Sequence, residues 1–170
     1  MQFEQLIRSR YSVRAYKADP VPDQVLAKVL EAARLAPTAA NRQAFRILVI
    51  HTAGREQELK RIYGRDWFVQ APMVIGVCAL TEGCWVRADG KSYGEVDAAI
   101  VMDHLILAAA DQGLGSCWIG AFDVRAAREV LGLPASVEPV AFSPLGYPAD
   151  RPGAKKRRPV KDLVRFDSWS

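Results

Sequence analysis

The stretch 97–122, DAAIVMDHLILAAADQGLGSCWIGAF, organises the rest of the chain. No proline or glycine interrupts it from Asp97 to Gln112, and most of its residues are apolar, which predicts a long helix. Asp97, His104 and Asp111 recur every seven residues and therefore share one narrow polar stripe. A helix that is apolar on most sides must be buried on most sides. Because a chain of 170 residues has trouble enclosing such a helix alone, we expect a second subunit to cover it, and Leu105→Asp to abolish the dimer.

A buried strand is expected directly after this helix. Gly113 favours a left-handed helix end, and residues 116–119 (SCWI) have the composition of a buried strand. Small residues flank this strand and would let something flat approach its backbone; they are Gly115, Ser116, Gly120 and Ala121.

Apolar spacing and the positions of proline and glycine predict the other elements. Helices are expected at the start of the chain (3–7), from Pro22 or Asp23 to just before Pro37, at 55–63 and at 124–131. Strands are expected at 45–50, 73–79 and 137–142. No repeat or linker interrupts the pattern, so residues 1–170 are expected to form one domain. The basic tail 149–170 is expected to dock its apolar residues on the sheet or on the partner subunit.

The composition is that of a soluble globular protein, with half of the residues hydrophobic and a quarter charged. No stretch approaches the roughly 20 apolar residues of a membrane helix, and the N-terminus lacks the pattern of a targeting segment. The three cysteines are sparse and odd in number, which argues against a disulfide framework. We therefore expect a protein of the reducing cytoplasm that does not bind a membrane.

The net charge of +4 is concentrated near the two ends of the chain. Arg10, Ser12 and Arg14 point the same way on an extended path, which makes a phosphate grip. The second cluster is the run 155–158, KKRR. Two compact clusters suit a small anion held by both ends at least as well as a nucleic acid, and evenly solvated surface charge is the remaining alternative.

The chain lacks its own set of catalytic groups. Neither of the two histidines has a metal-type partner four residues away, and no nucleophile elbow or Walker loop is present. The glycines at 113–115 follow a helix and precede a strand, the reverse of the order in a dinucleotide-binding turn. A phosphate grip beside a strand of small residues instead favours a bound organic cofactor that supplies the chemistry.

Five segments in order carry a resemblance to a known family: RYSVR at 10–14, APTAANRQ at 36–43, GLGSCWIG at 113–120, PLGYP at 144–148 and KRRP at 156–159. With these segments the chain resembles the nitroreductase superfamily of FMN-dependent oxidoreductases, in a short, minimal form. The resemblance implies an α+β sandwich with a central, mostly antiparallel sheet flanked by helices. It also implies an obligate homodimer with the long helix at its interface and two FMN sites, each built from both subunits.

The resemblance also implies which residues bind the cofactor. They are Arg10, Tyr11, Ser12, Arg14, Pro37, Thr38, Ala39, Asn41, Gln43, Trp118, Ile119, Gly120, Pro144, Leu145, Gly146, Lys156 and Arg158. By position, Arg10, Ser12, Lys156 and Arg158 would hold the FMN phosphate. Arg14 would lie by the pyrimidine edge of the flavin, where positive charge stabilises the anionic reduced form.

The remaining positions would surround the flavin ring. The residues of 37–43 would reach it from the partner chain. Those of 118–120 would run along it with a backbone N–H near N5, and those of 144–146 would support the site. Four aromatic residues are either walls of the substrate pocket or core packing: Trp67, Phe68, Trp85 and Tyr93.

The implied activity is ping-pong hydride transfer from NAD(P)H through flavin N5 to a small-molecule acceptor such as a nitroaromatic or a quinone. Alternatives within the fold are a reductive dehalogenase, a flavin destructase or a ferredoxin-fed reductase. A non-catalytic flavin-storage protein and a basic nucleic-acid-binding module are the non-enzymatic alternatives. No metal and no nucleic acid are expected as ligands.

Overall fold

Four strands form an antiparallel sheet in the order β1-β2-β4-β3 in the computed structural model, which describes residues 2–169. The strands are β1 (Phe45–His51), β2 (Met73–Leu80), β3 (Gly115–Ser116) and β4 (Val137–Gly146). The helices are α1 (Phe3–Ser9), α2 (Asp23–Arg34), α3 (Glu56–Ile62), α4 (Asp66–Gln70), α5 (Gly94–Asp111), α6 (Val124–Leu131) and α7 (Val160–Leu163). No helix within residues 2–169 has the length and apolar character needed to span a membrane.

The strand β4 is longer than the sequence predicts. The predicted strand covers only residues 137–142. In the structure β4 continues to Gly146, with Pro144 opposite Val74 of β2 and Leu145 opposite Ser116 of β3. This extension carries residues 144–146 between two neighbouring strands, where all three are buried.

One face of the sheet is covered by α5 and α2. Met73, Ile75 and Val77 of β2 pack against α5 in the main hydrophobic core. Leu105 is wholly buried in this core, so the expectation that it lies at a dimer contact is wrong. Heptad spacing identified a stripe of the helix but could not tell which stripe faces the sheet.

The opposite side of α5 is only partly covered by the chain itself. Val96, Ile100, Asp103 and Leu107 recur at steps of four, three and four residues, the spacing of one helical face. Val96 is 39% exposed, Asp103 is exposed, and the other two are half-buried. We call these four residues the outer stripe of α5.

The other face of the sheet is covered by α3, α4 and α6. Phe68 lies in the short helix α4 and is fully buried there. It belongs to the second hydrophobic core, so its interpretation as a pocket wall is wrong and that as core packing is confirmed. Phe142 lies over Gly76, where a Cβ would come within 2.8 Å of the phenylalanine ring. The glycine is therefore required for the close approach of this ring to β2.

The two ends of the chain run side by side next to β3. The amide of Val13 donates to the Ser116 carbonyl at 3.0 Å, and that of Lys17 donates to the Tyr147 carbonyl at 2.9 Å. The amide of Ala149 donates back to Ala15 at 2.8 Å. These bonds confirm the extended path expected for residues 9–16, and they bring the start of the basic tail beside Arg10 and Arg14.

The tail beyond Asp150 is exposed on its own chain. Its apolar side chains point away from both cores, and Phe166 and Trp169 are 84% and 89% exposed. The tail therefore does not pack on the sheet of the same chain. Its docking on a partner subunit stays a prediction.

Candidate functional site

A basic cavity of about 460 Å³ lies where the two ends of the chain meet. Both ends contribute cations to its lining: Arg10, Arg14, Arg151, Lys155, Lys156 and Arg157. Tyr11, Ser12, Asp150, Gly153 and Ala154 complete the lining. Within residues 2–169, none of these cations forms a salt bridge, whereas arginines elsewhere, such as Arg8 with Glu4, do. The cavity thus offers positive charge that no carboxylate of the described chain neutralises by direct pairing.

Asp150 links the two ends inside this cavity. The Tyr11 hydroxyl donates to the carbonyl and to Oδ1 of Asp150, both at 3.0 Å. The backbone amide of Arg14 donates to Oδ2 at 2.8 Å. Partial burial, followed by the neighbouring Asp150 carboxylate, raises the pKa of Tyr11 above its usual value, so the hydroxyl stays a donor.

Lys155 joins the tail to the first helix. Its ammonium donates to the carbonyl oxygens of Ile7, at 3.2 Å, and Arg8 at the C-terminal end of α1. Such carbonyls lack partners within the helix and attract a cation. Desolvation, followed by the like charges of Arg10 and Arg157, lowers the pKa of Lys155, which agrees with a crowded cluster of cations.

The structure gathers most of the residues expected at a phosphate, but not all of them. Arg10, Ser12 and Lys156 line the cavity together with Tyr11 and Arg14. Arg158 is not among the lining residues, and its guanidinium instead donates to the Asp162 carbonyl at 3.4 Å. Six lining residues were not among the expected cofactor-binding residues, namely Asp150, Arg151, Gly153, Ala154, Lys155 and Arg157. The basic run 155–158 signalled a cluster, but an irregular tail has no period that shows which side chains point inward.

The segment 37–43 forms a tight loop at the other end of α5. It contains a single 3-10 turn, Ala39–Asn41, and Ala40, Asn41 and Gln43 have φ angles of 49°, 53° and 51°. The amide of Ala39 donates to Oδ1 of Asp97, in the first turn of α5, at 2.9 Å. Left-handed backbone at residues other than glycine costs free energy, so this loop is strained.

The loop and the basic cavity lie far apart within one chain. A smaller cavity of about 210 Å³ shares Arg10 and Tyr11 with the basic cavity and is lined by Ala110 at the C-terminal end of α5. Asp97 and Ala110 are 13 residues apart, which is about 20 Å along a helix. The structure therefore does not bring residues 37–43 to the basic cavity of their own chain.

The segment 118–120 runs past the edge of the sheet beside β4. Ile119 is buried and exchanges two backbone hydrogen bonds with Phe142, of 2.8 and 3.1 Å. Trp118 is 39% exposed, and a Cβ at Gly120 would meet nothing within 4 Å. Solvent thus reaches residues 118 and 120, as expected for a surface against which a flat group packs.

Residues 144–146 lie behind that segment as part of the sheet. Leu145 is fully buried in the main core. A Cβ at Gly146 would come within 2.6 Å of Pro72, so this glycine allows two backbones to approach. The amide of Cys117, which follows β3, donates to the Ser143 hydroxyl at 3.0 Å. Burial raises the pKa of the Cys117 thiol, with Arg14 opposing the shift, so its environment is not that of an activated nucleophile.

The other aromatic candidates lie apart from the basic cavity. Trp85 and Tyr93 form an edge-to-face pair with ring centroids 4.8 Å apart, in the loop before α5. The Arg87 guanidinium donates to the Tyr93 hydroxyl at 3.2 Å and also pairs with Asp89. Trp67 packs edge-to-face on Tyr63, with centroids 5.5 Å apart. No group of histidine, cysteine and acidic side chains in the described part of the chain is arranged to hold a metal ion.

A sheet with helices on both faces and a basic cavity at its edge define an α+β protein suited to hold a small anion. A sequence model of the nitroreductase family matches residues 7–68 and 63–147. A nitroreductase family protein from Clostridium difficile 630 has a similar crystal structure, with a TM-score of 0.91 and 34% identity over 99% of each chain. The chain belongs to the nitroreductase family. The α+β fold that the resemblance implied is thereby confirmed.

Two curated relatives give the names used within this family. An NADPH-dependent oxidoreductase from Staphylococcus aureus (strain USA300) is 30% identical over 96% of this chain and 72% of its own length. An NADH dehydrogenase from Thermus thermophilus is 28% identical over 91% of each chain. Both names describe oxidoreductases that use a nicotinamide nucleotide.

Proposed function

We propose that this chain is an FMN-dependent oxidoreductase that transfers hydride from NAD(P)H to a small electron acceptor. Membership of the nitroreductase family and the names of the relatives support an oxidoreductase that uses NAD(P)H. The single observation that supports FMN as the cofactor is the basic cavity. Both ends of the chain contribute cations to it, and these cations form no salt bridge with the described residues.

The lining of the cavity fits a phosphate monoester. Arginine offers a planar fork of donors to phosphate oxygens, and lysine adds a flexible point charge. Arg10, Ser12 and Lys156 would bind the FMN phosphate, and Arg157 is the further cation of the tail that lines the same cavity. The bonds of Asp150 to Tyr11 and Arg14 hold the two sides of the cavity together, so the binding groups are positioned before the ligand arrives.

The other residues would hold the flavin ring and tune it. Bound FMN would supply hydride chemistry at N5, accepting from NAD(P)H and then giving to the acceptor in a ping-pong sequence. Arg14 would stabilise negative charge at the pyrimidine edge. The exposed residues Trp118 and Gly120 would pack along the ring, and 144–146 would support that segment through the sheet.

A homodimer would complete the site. The loop 37–43 and the basic cavity lie about 20 Å apart along α5, so an antiparallel pairing of two α5 helices would bring the loop of one chain to the cavity of the other. The half-covered outer stripe of α5 is the surface available for this pairing. Tail residues such as Phe166 and Trp169 would dock on the partner, because they find no cover on their own chain.

Nitroaromatics and quinones are the acceptors that we propose to test. We also propose a reducing compartment such as the cytoplasm, since Cys78, Cys84 and Cys117 are all free thiols. The absorbance spectrum of the purified protein tests the cofactor, and we expect the bands of oxidised FMN with one flavin per chain. A colourless protein that also fails to take up added FMN would contradict the proposal.

Anaerobic titration then tests the electron donor. NADH or NADPH should bleach the flavin band, and a nitroaromatic or quinone should restore it. Flavin that neither nucleotide reduces would point instead to a ferredoxin-fed reductase, and flavin that no donor bleaches would point to storage. Iodinated phenols and free reduced FMN as substrates would reveal dehalogenase or destructase activity.

A further inference from the structure

The carboxylate of Asp97 is buried in a way that stability alone does not explain. Its side chain lies in the first turn of α5 and is 1% exposed. Oδ1 accepts the amide of Ala39, while Oδ2 accepts no hydrogen bond within residues 2–169. A buried carboxylate oxygen without a donor is unfavourable, and an apolar residue would avoid this cost. The N-terminal position on the helix offsets only part of it.

The bond to Asp97 is the single hydrogen bond, within residues 2–169, that ties loop 38–43 to a distant element. All other hydrogen bonds of the loop are local. The amide of Gln43 donates to the Thr38 hydroxyl at 3.1 Å, and its side-chain amide donates to Asn41 Oδ1 at 3.1 Å. Asp97 is 58 residues away from Ala39 in sequence, so this one bond fixes the loop to the start of α5.

The loop also needs an external anchor. Ala40, Asn41 and Gln43 all have left-handed backbone, which an unconstrained chain of these residues would leave for more favourable conformations. Strained backbone persists where surrounding contacts over-determine it, and such places cluster at functional sites. A hydrogen bond that a buried side-chain oxygen accepts from the loop backbone, away from competing water, provides such an anchor.

We propose that Asp97 is a positioning residue: its buried carboxylate holds loop 38–43 in the left-handed path that presents Asn41 and Gln43 to the flavin of the partner subunit. The inference rests on the proposed function for the identity of the ligand. The anchoring itself concerns the described residues of this chain alone. Asp97 acts through the loop and does not touch the cofactor.

Proteolysis tests the anchoring without any cofactor. Arg42 is exposed within the loop, so trypsin cleaves after it at a rate that depends on how often the loop opens. In the apoprotein, Asp97→Ala should raise this rate at least tenfold. Asp97→Asn keeps an acceptor oxygen for the Ala39 amide and should stay within threefold of the wild type. Glu95→Ala removes an exposed acid from the same helical turn and should change nothing.

Flavin binding separates positioning from general stability. Asp97→Ala should weaken riboflavin and FMN by the same factor, about tenfold, because the loop would contact the ring and not the phosphate. Arg10→Ala should weaken FMN alone. Should Asp97→Ala fail to fold, Ala39→Pro removes the donor of the same bond at a position where the preceding Thr38 backbone tolerates proline. It should reproduce the faster cleavage and the weaker riboflavin binding.

The outcomes distinguish this inference from the proposed function. Wild-type protein that binds neither flavin would overturn the proposed function, while the cleavage rates would still decide the anchoring. The inference would be overturned if the wild-type protein binds FMN and Asp97→Ala has the same cleavage rate and the same riboflavin affinity as the wild type. Equal damage by Asp97→Asn and Asp97→Ala would also overturn it, because an acceptor oxygen would then not be what holds the loop.

Discussion

Asp150 accepts hydrogen bonds from a tyrosine 139 positions away and from an amide 136 positions away. Its carboxylate stands in a cavity otherwise lined by cations, so two effects of opposite sign compete there. As a negative charge it should repel a phosphate, and as a link between the chain ends it should improve binding. The geometry favours the second effect, because both carboxylate oxygens are already used by Tyr11 and by the Arg14 amide.

Asp150→Ala decides between these two effects. We expect FMN to bind at least tenfold more weakly and the free energy of unfolding to fall by about 0.5–1.5 kcal/mol, since the Arg14 amide loses its acceptor and the Tyr11 hydroxyl keeps only the backbone carbonyl of residue 150. Asp150→Asn keeps one acceptor oxygen without the charge. Its FMN affinity and its free energy of unfolding should therefore lie between those of Asp150→Ala and the wild type. Fluorescence titration with FMN and urea unfolding measure the two quantities. Tighter FMN binding by Asp150→Ala would mean that the carboxylate only repels.

The cations of the cavity are expected to hold the flavin phosphate together. Arg10→Ala combined with Lys156→Ala should yield colourless protein, because charge-assisted hydrogen bonds contribute about 1.5–3 kcal/mol each. Arg158→Ala is the matched control. Its side chain does not line the cavity, and we expect that variant to purify with its full flavin content. Loss of flavin in Arg158→Ala would instead favour the position that the family resemblance implies.

Among the elements, α5 separates what the sequence could predict from what it could not. Apolar periodicity located α2, α6, β1 and β2 to within a few residues, because each of them buries one regular face. The orientation of α5 could not be predicted in this way, since a helix that is apolar nearly all round gives no contrast between its faces. The prediction that Leu105→Asp abolishes the dimer therefore chose a side chain that lies in the main core of its own chain.

Regular spacing also separates the site residues that the sequence could predict from those that it could not. Arg10, Ser12 and Arg14 were predicted together because an extended segment has a fixed period of two. Asp150 carried no local signal, since its partners are distant in sequence and only the folded chain brings them near. Arg157 lines the cavity where Arg158 was expected. The sequence could not predict this, because the prolines of the tail break any regular period.

Substitution of the outer stripe of α5 tests its proposed role as the contact between subunits. Val96→Asp combined with Leu107→Asp should convert the proposed dimer to a folded monomer, because two further carboxylates on each chain would be desolvated beside Asp103 at the contact between subunits. Light scattering gives the mass, and circular dichroism confirms that the helices remain. Leu105→Ala is the control: it should lower stability by about 2–5 kcal/mol without changing the mass. Wild-type protein that is monomeric at micromolar concentration would refute the pairing.

For the molecule as a whole, the two ends of the chain have different kinds of support. Residues 10–17 are tied to β3 and to residues 147–149 by backbone hydrogen bonds, whereas residues 151–169 are exposed throughout. The tail nonetheless carries large apolar side chains, with Phe166 and Trp169 almost fully exposed. Burying two such side chains is worth several kcal/mol, which is enough to influence association of subunits.

Removing residues 160–170 tests the role of the tail. The truncated chain keeps the basic run and all residues that line the cavity, so folding and the content of each hydrophobic core should be unchanged. The dimer dissociation constant should rise by at least tenfold, as measured by sedimentation at a series of concentrations. Replacing only Phe166 and Trp169 by serine should reproduce most of this effect. An unchanged constant in both variants would show that the tail takes no part in association.

The meeting of both chain ends in one cavity has a consequence for biosynthesis. Arg10 is translated before every strand of the sheet, whereas Lys156 and Arg157 follow the last strand, β4. A nascent chain therefore carries only half of the anion grip, however completely its sheet has formed. Binding of the proposed phosphorylated ligand must therefore wait until residues 155–157 have been translated, and a chain cut after Asp150 should form its sheet and yet stay empty.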